Sequence, residues 1–454
     1  MHKIPTMIDT IITTAAESTK VVNHTPRLPP ELWLIIFRFA TSSPITYAPS
    51  DAKSTSYYEP FQSHNEMATA FSDAAVRDRC AISLVCKQWH ALAGDMRYED
   101  IRIGRGISSL HAALRGPAAD TILAGTTDTT PPPPSRHRVR RAVLPYAHTA
   151  TPTYDAPLAF ALLALLPHLE VLVRPPLSPQ PPLSSHRHLT TATHSRPSSP
   201  LFEFPTPAPA LPVLHRLEWA FEKTGAAEVT GGINSLTDML KAAPSLSELV
   251  LTGRMPHAAV CQDRVTLRAL RTLRFRAGAC GCPFLDLQTS FWEMPALENI
   301  VMEGCRARAR SFEELWGTFG RQVRVVQLEL GGKGMWMDDV GEIVNACPKL
   351  EEFNFRIDCG HLGGWWQMDN FLANTVSALQ RLGICVDSET PEWSVNTWMA
   401  LAEFVGKWKL SQALGQVVLY VRDVQVAEKN PQFYLFREEL ASSGIQLLLR
   451  SVWI

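Results

Sequence analysis

The chain has 454 residues, 46% of them hydrophobic and 19% charged, enough to bury a sizeable core in two or more domains. A formal net charge of -1 gives no electrostatic reason to expect nucleic acid or a membrane surface as a partner, so any charged binding surface must be local. Nine cysteines, an odd number, fit reduced thiols of a cytoplasmic or nuclear protein better than a disulfide framework.

The opening "MHKIPTMIDTIITTAAESTK" breaks its apolar run with Asp9 and threonines, so it does not read as a secretion signal, and residues 1–25 are expected to be flexible. "RLPPELWLIIFRFA", from Arg27, then reads as a helix: Pro29 and Pro30 suit a first turn, and Glu31 sits where the helix dipole favours an anion. Leu32, Ile35, Ile36 and Phe39 mark one face, Trp33 and Phe37 the opposite one. A helix apolar on all sides has to be covered on all sides, and this one falls far short of the roughly 20 residues of a membrane span. Either a core surrounds it or another protein shares it.

Residues 41–72 read as an inserted loop, followed by a helix in "DRCAISLVCKQWHALAG", where Ile82, Cys86, Trp89 and Ala93 fall at helical spacing. Two stretches, near 126–142 and from 174–212, are low in apolar periodicity and are expected to be exposed loops, the second proline-rich. The basic run "SRHRVRRA" in the first is read as solvated charge or a nuclear-import signal, and the histidines of the second as solvated.

From residue 213 to 454 a pattern recurs. "LSELVLTG", "LRTLRFRAG", "LENIVMEGC" and "LEEFNFRIDC" share the spacing L-x-x-L-x-L, as does "LPHLEVLVR" ahead of the proline-rich stretch. Taking Leu214, Leu246, Leu270, Leu297, Val325, Leu350 and Leu379 as anchors gives intervals of 24 to 32 residues. One strand per such interval is the mark of a leucine-rich-repeat solenoid, in which units that cannot bury their apolar stripe alone stack into one core. "SFEELWGTFG" and "MDDVGEIVNAC" read as its outer helices. The position eight after the anchor, normally Asn or Cys, holds Arg254, Gly278, Cys305, Lys333, Asp358 and Asp387, so the horseshoe is expected to be irregular.

If the anchor and the residues three and five later point inward, those two, four and six later point out. This places Arg274 and Arg276 outside as a basic spot flanked by Glu303, Glu329 and Glu352, with Arg356 beyond. The charges either pair with one another on a wet surface, or the arginines take an acidic or phosphorylated group of a target.

The N-terminal motifs carry a resemblance. Leu28, Pro29, Glu31, Ile36 and Phe37, followed by Leu84, Val85, Cys86 and Trp89, resemble the F-box signature, and the resemblance runs from Arg27 to Ile103. The inserted stretch from Thr41 to about Phe71 is longer than the usual F-box linker. The pairing with leucine-rich repeats is similar to F-box and leucine-rich-repeat proteins, many of them fungal. That resemblance implies an α/β chain with a small helical F-box at 26–103, the start of a repeat domain at 104–173, and an irregular solenoid after residue 213. It implies a Skp-family adaptor bound through Leu28, Pro29, Leu32, Ile36 and Phe37, with Trp89 in support. Through the adaptor it implies a cullin, and on the repeats a protein substrate delivered for ubiquitin transfer. A non-ligase interaction scaffold is the rival reading.

No catalytic constellation accompanies these motifs. "ELGGKGMW" lacks the phosphate-cradling Gly-x4-Gly-Lys-[Ser/Thr] pattern, and Cys280 to Cys282 with Cys261 and Cys305 match no zinc finger or ribbon spacing. No enzyme activity, cofactor or metal is therefore expected.

Overall fold

The computed structural model describes residues 28–41, 64–94, 96–103, 107–115, 135–144, 156–174, 208–221, 230–253, 263–277, 289–304, 312–329, 337–358, 378–387, 398–399, 401–402, 405–406 and 413–451. Most of the proline-rich stretch, its histidines, and Cys261, Cys280, Cys282 and Cys305 lie outside the described residues.

Three helices open the chain: α1 (Pro30–Thr41), α2 (His64–Val85) and α3 (Lys87–Ala93). Residues 64–72 therefore belong to a helix and not to the inserted loop. The expected helix through Cys86 is in fact two. Cys86 has extended backbone, and its Sγ accepts a hydrogen bond from the Trp89 N–H at 3.4 Å, capping α3. A side-chain acceptor at that position satisfies one of the otherwise unpaired first-turn donors.

The sheet then begins. Its strands are β1 (Asp100–Arg102), β2 (Arg141–Val143), β3 (Val171–Arg174), β4 (Arg216–Phe221) and β5 (Glu248–Gly253). After the short β6 (Val265–Thr266) come β7 (Thr272–Ala277), the short β8 (Trp292–Glu293), β9 (Asn299–Glu303) and β10 (Val325–Glu329). The series closes with β11 (Glu352–Asp358), β12 (Arg381–Asp387), β13 (Gln416–Val421) and β14 (Gln446–Ser451). All but β6 and β8 form one 12-stranded sheet in chain order, every neighbour parallel, and β6 pairs β8 separately. Parallel neighbours need a crossover on one side. Among the described residues these carry α4 (Ile107–Arg115), α5 (Ala156–Ala164), α6 (Thr230–Ala242), α7 (Glu313–Phe319), α8 (Met337–Ala346), α9 (Val424–Lys429) and α10 (Pro431–Ser442). The chain is thus a mixed α/β protein with a leucine-rich-repeat-like body.

Six units turn into their strands by the same hydrogen bond. The N–H of Leu214, Leu246, Leu270, Leu297, Val323 and Leu350 reaches the carbonyl three residues before it, at 3.0 to 3.2 Å. The anchor of the β10 unit is accordingly Val323, fully buried, and not Val325, which is half-buried. Val326 and Leu328 follow it into the core as Leu249 and Leu251 follow Leu246. The two valines are two residues apart and alike in type, so the apolar pattern alone picks the wrong one. One continuous core runs from Ile101 to Leu447 between the strands and their crossovers.

The basic run is also partly structural. Ser135–Arg138 forms a short 3-10 turn and Arg141 opens β2, where it is buried and donates to both carboxylate oxygens of Asp100 at 3.1 and 2.9 Å. That end of the expected loop is a strand.

Candidate functional site

Two surfaces hold the residues singled out in the sequence. The first is the helical unit. Phe37 and Trp33 of α1 turn toward Trp89 of α3, with ring centroids 4.9 Å apart for Phe37 and Trp89 and 5.0 Å for Trp33 and Trp89. The buried Thr41 closes α1 by donating to the Phe37 carbonyl at 2.7 Å, and Arg38 reaches Glu99 at 3.9 Å beside the first strand. His90 Nδ1 lies 3.1 Å from the Ser83 carbonyl, tying α3 back to α2.

Among the described residues, the other face of α1 has no such cover. Leu32, Ile35 and Ile36 are 44%, 60% and 43% exposed, against 2% for Phe37. Leu84 and Val85, at the end of α2, are exposed as well. Of the residues expected to meet an adaptor, Pro29, Leu32 and Ile36 are exposed, and Leu28 and Trp89 are half-buried. Phe37 is a correction: it fills the interior of the helical unit and presents nothing outward. Ile35, Leu84 and Val85 belong to the exposed set instead. Ile35 was legible as part of the Leu32 and Ile36 stripe, whereas the exposure of Leu84 and Val85, at the end of α2, has no signal in the apolar pattern.

The second surface is the sheet face opposite the core. Alternation along each strand sorts its side chains into rows that run across the sheet. One row reads Glu218, Val250, Arg274, Val301, Gln327, Asn354 and Gly383 in strand register. The next brings Thr252, Arg276, Glu303 and Glu329 into line. A row nearer the strand starts holds Arg216, Glu248, Thr272, Asn299, Val325, Glu352 and Arg381. These rows lie on the face away from the core cluster, and Val325, expected inward as an anchor, belongs to them.

The exposure of this face differs from the expected one. Arg274, Glu303, Gln327, Glu329 and Asn354 are buried, so the wet surface read from the sequence is an interior charge network. Arg274 donates to Glu303 at 2.6 Å and lies 4.0 Å from Glu248, while Arg216 holds Glu218 at 2.9 Å and Glu248 at 3.1 Å. Burial works against the Arg216 charge, but Glu248 and Glu218 outweigh it and hold its pKa above the ordinary value. Gln327 donates to Glu329 at 2.5 Å, Asn354 to Glu352 at 2.8 Å, and Arg381 to Glu352 at 2.9 Å. Burial raises Glu329 to a pKa of about 7, with Glu303 adding to the rise and Arg356, Arg274 and the Gln327 hydrogen bond opposing it. Arg276, Glu352 and Arg356 remain half-buried and within reach of a partner.

No family model matches the chain, and no curated protein matches it either. Among solved structures, the crystal structure of the TLR13-ssRNA13 complex is similar over 63% of this chain and 36% of its own, with 13% identity and a TM-score of 0.34. This chain spans about a third of that neighbour's length. A superposition this loose carries no argument, and the repeat-like fold rests on the strand pairing described above.

Among the described residues, no helix is long and apolar enough to cross a membrane, and no group of three His, Cys, Asp or Glu side chains is placed to hold a metal ion.

Proposed function

We propose that this chain is a substrate-recognition subunit of an SCF-type ubiquitin ligase, in which the helical unit binds a Skp-family adaptor and the repeats hold the protein to be modified. The observation that carries this reading is the uncovered apolar face of α1. Leu32, Ile35 and Ile36 are exposed side by side on a helix whose other face is already filled by Trp33, Phe37 and Trp89. An exposed apolar cluster is the expected signature of a protein contact, and here it lies within the stretch that resembles the F-box and includes the motif residue Ile36.

In this reading the chain performs no bond chemistry and needs no cofactor or metal. Its contribution is proximity: a lysine of the bound target is held near an activated thioester brought by the cullin, which raises the effective concentration of the two groups. Substrate contact falls to the half-buried Arg276, Glu352 and Arg356, for which a planar guanidinium and a carboxylate offer charge-assisted hydrogen bonds. Arg274, Glu303 and Glu329 form the framework beneath them.

Affinity purification of the full chain from cells, with the adaptor and the cullin read separately, tests the proposal. Recovery of both supports the ligase. Adaptor without cullin favours an assembly scaffold, and recovery of neither sinks the F-box assignment.

A further inference from the structure

Arg79 is a charge without sufficient company. Its side chain lies on the stripe Ala75, Arg79 and Ser83 that α2 turns toward the body, and the residue is only 4% exposed. One nitrogen donates to the Thr41 carbonyl at the long distance of 3.5 Å, and the other two, Nε and Nη1, have no partner. An ionised group removed from water without compensation costs several kcal/mol. A guanidinium so placed calls for an anion.

The structure has room for one. A cavity of about 190 Å³ lies between α2 and β1, lined by Arg79, Arg97 and Arg102 with Asp100 and an apolar wall that includes Val76 and Ile101. A single water needs only about 10 to 15 Å³ on the same scale, so a tetrahedral oxyanion fits with part of its hydration. Asp100, the carboxylate among the described lining residues, already accepts from Arg141 through both oxygens. Among the described residues, the space is thus lined by Arg79, Arg97 and Arg102 and by a carboxylate that is already engaged.

We propose that this cavity binds a doubly charged tetrahedral oxyanion, the chemistry of inorganic phosphate and of a small phosphomonoester alike. Arg79 would hold it through Nε and Nη1, the fork geometry that suits two oxygens of one phosphate. The exposed Arg97 adds attraction at the mouth. The ligand would tie the helical unit to the first strand of the repeats, independently of whether that unit is an F-box.

The test is the melting temperature of the full chain against inorganic phosphate, and in parallel against phenyl phosphate, with sodium chloride at matched ionic strength as control. A ligand bound only by the folded state raises the melting temperature with concentration. Wild type should respond to phosphate and not to chloride. A stronger response to phenyl phosphate assigns a monoester, an equal one the free ion. Arg79→Gln should abolish the response and, in phosphate-free buffer, melt at or above wild type because an uncompensated charge is gone. Should that variant fail to fold, Arg97→Gln replaces it, with phosphate affinity expected to fall roughly threefold to fivefold. No phosphate response beyond chloride in wild type, or an equal response in the variant that folds, overturns the proposal.

Discussion

Glu303 and Glu329 stand opposite one another on β9 and β10, two buried carboxylates in direct strand register. Like charges so placed destabilise one another. Arg274 binds the first and Gln327 the second, while Arg356 and Arg274 act on Glu329 through space.

A pH dependence follows from the burial of Glu329. Its pKa rises from an ordinary 4.5 to about 7 on folding, burial being the first cause and Glu303 the next. Below pH 4.5 both states hold the proton and nothing is lost. Between 4.5 and about 7 the folded state keeps a proton that the unfolded chain has released, so stability falls as pH rises through that window. Above it the loss is complete, on the order of 3 kcal/mol. Glu329→Gln should therefore match wild type near pH 4 and exceed it at pH 8 in urea melts. Parallel stability curves for the two proteins would contradict the assignment.

Arg274 and Arg276, two residues apart on β7, should answer differently to substitution. Arg274→Ala strands Glu303 in the interior and is expected to cost about 3 to 5 kcal/mol, the usual result of removing one partner of a buried pair. Arg276 is half-buried. Arg276→Ala should cost less than about 1 kcal/mol and act on substrate capture instead. Equal melting temperatures for the two variants would show that the network under Arg276 does not carry the sheet.

The described cysteines should separate by reactivity. Cys80 and Cys86 are exposed, whereas Cys347 and Cys385 are buried, and burial pushes the Cys347 thiol up to about 12. A thiolate is the reactive form. Brief alkylation of the native protein followed by peptide mass spectrometry should mark Cys80 and Cys86 and leave Cys347 and Cys385 until the chain is unfolded. Early labelling of Cys347 would mean that α8 opens locally.

Why some of this was legible in the sequence and some was not comes down to range. The L-x-x-L-x-L spacing is local, and it marks the anchors and the inward face of most strands. The choice between Val323 and Val325 depends on a turn hydrogen bond to Gly320, which no apolar pattern encodes. The burial of Arg274 depends on Glu303, 29 residues away, and on register across two strands. Likewise Arg141 reads as part of a basic run until Asp100, 41 residues earlier, is placed beside it. Arg79 had a local signal, since Ala75, Arg79 and Ser83 recur every fourth residue on one face of α2, but a lone charge in such a stripe gives no sign of the cavity it lines.

Within the helical unit, Phe37 and Ile35 should part company. Phe37→Ala empties the space against Trp33 and Trp89 and is expected to cost about 3 to 5 kcal/mol of local stability. Ile35→Asp lies on the open face and should leave the fold intact, within about 0.5 kcal/mol. Hydrogen exchange of the α1 and α3 amides, followed by mass spectrometry, reads both. A larger loss for Ile35→Asp would mean that the face is covered within the chain itself.

The affinity of the purified chain for a Skp-family adaptor, measured by calorimetry for wild type and for the Leu32→Asp and Ile36→Asp double variant, tests the central claim most directly. The account predicts binding by wild type and, since losing central apolar contacts costs about 2 kcal/mol or more, a weakening of at least tenfold in the double variant with the melting temperature preserved. Undiminished affinity in that folded variant, or no binding by wild type, would contradict it.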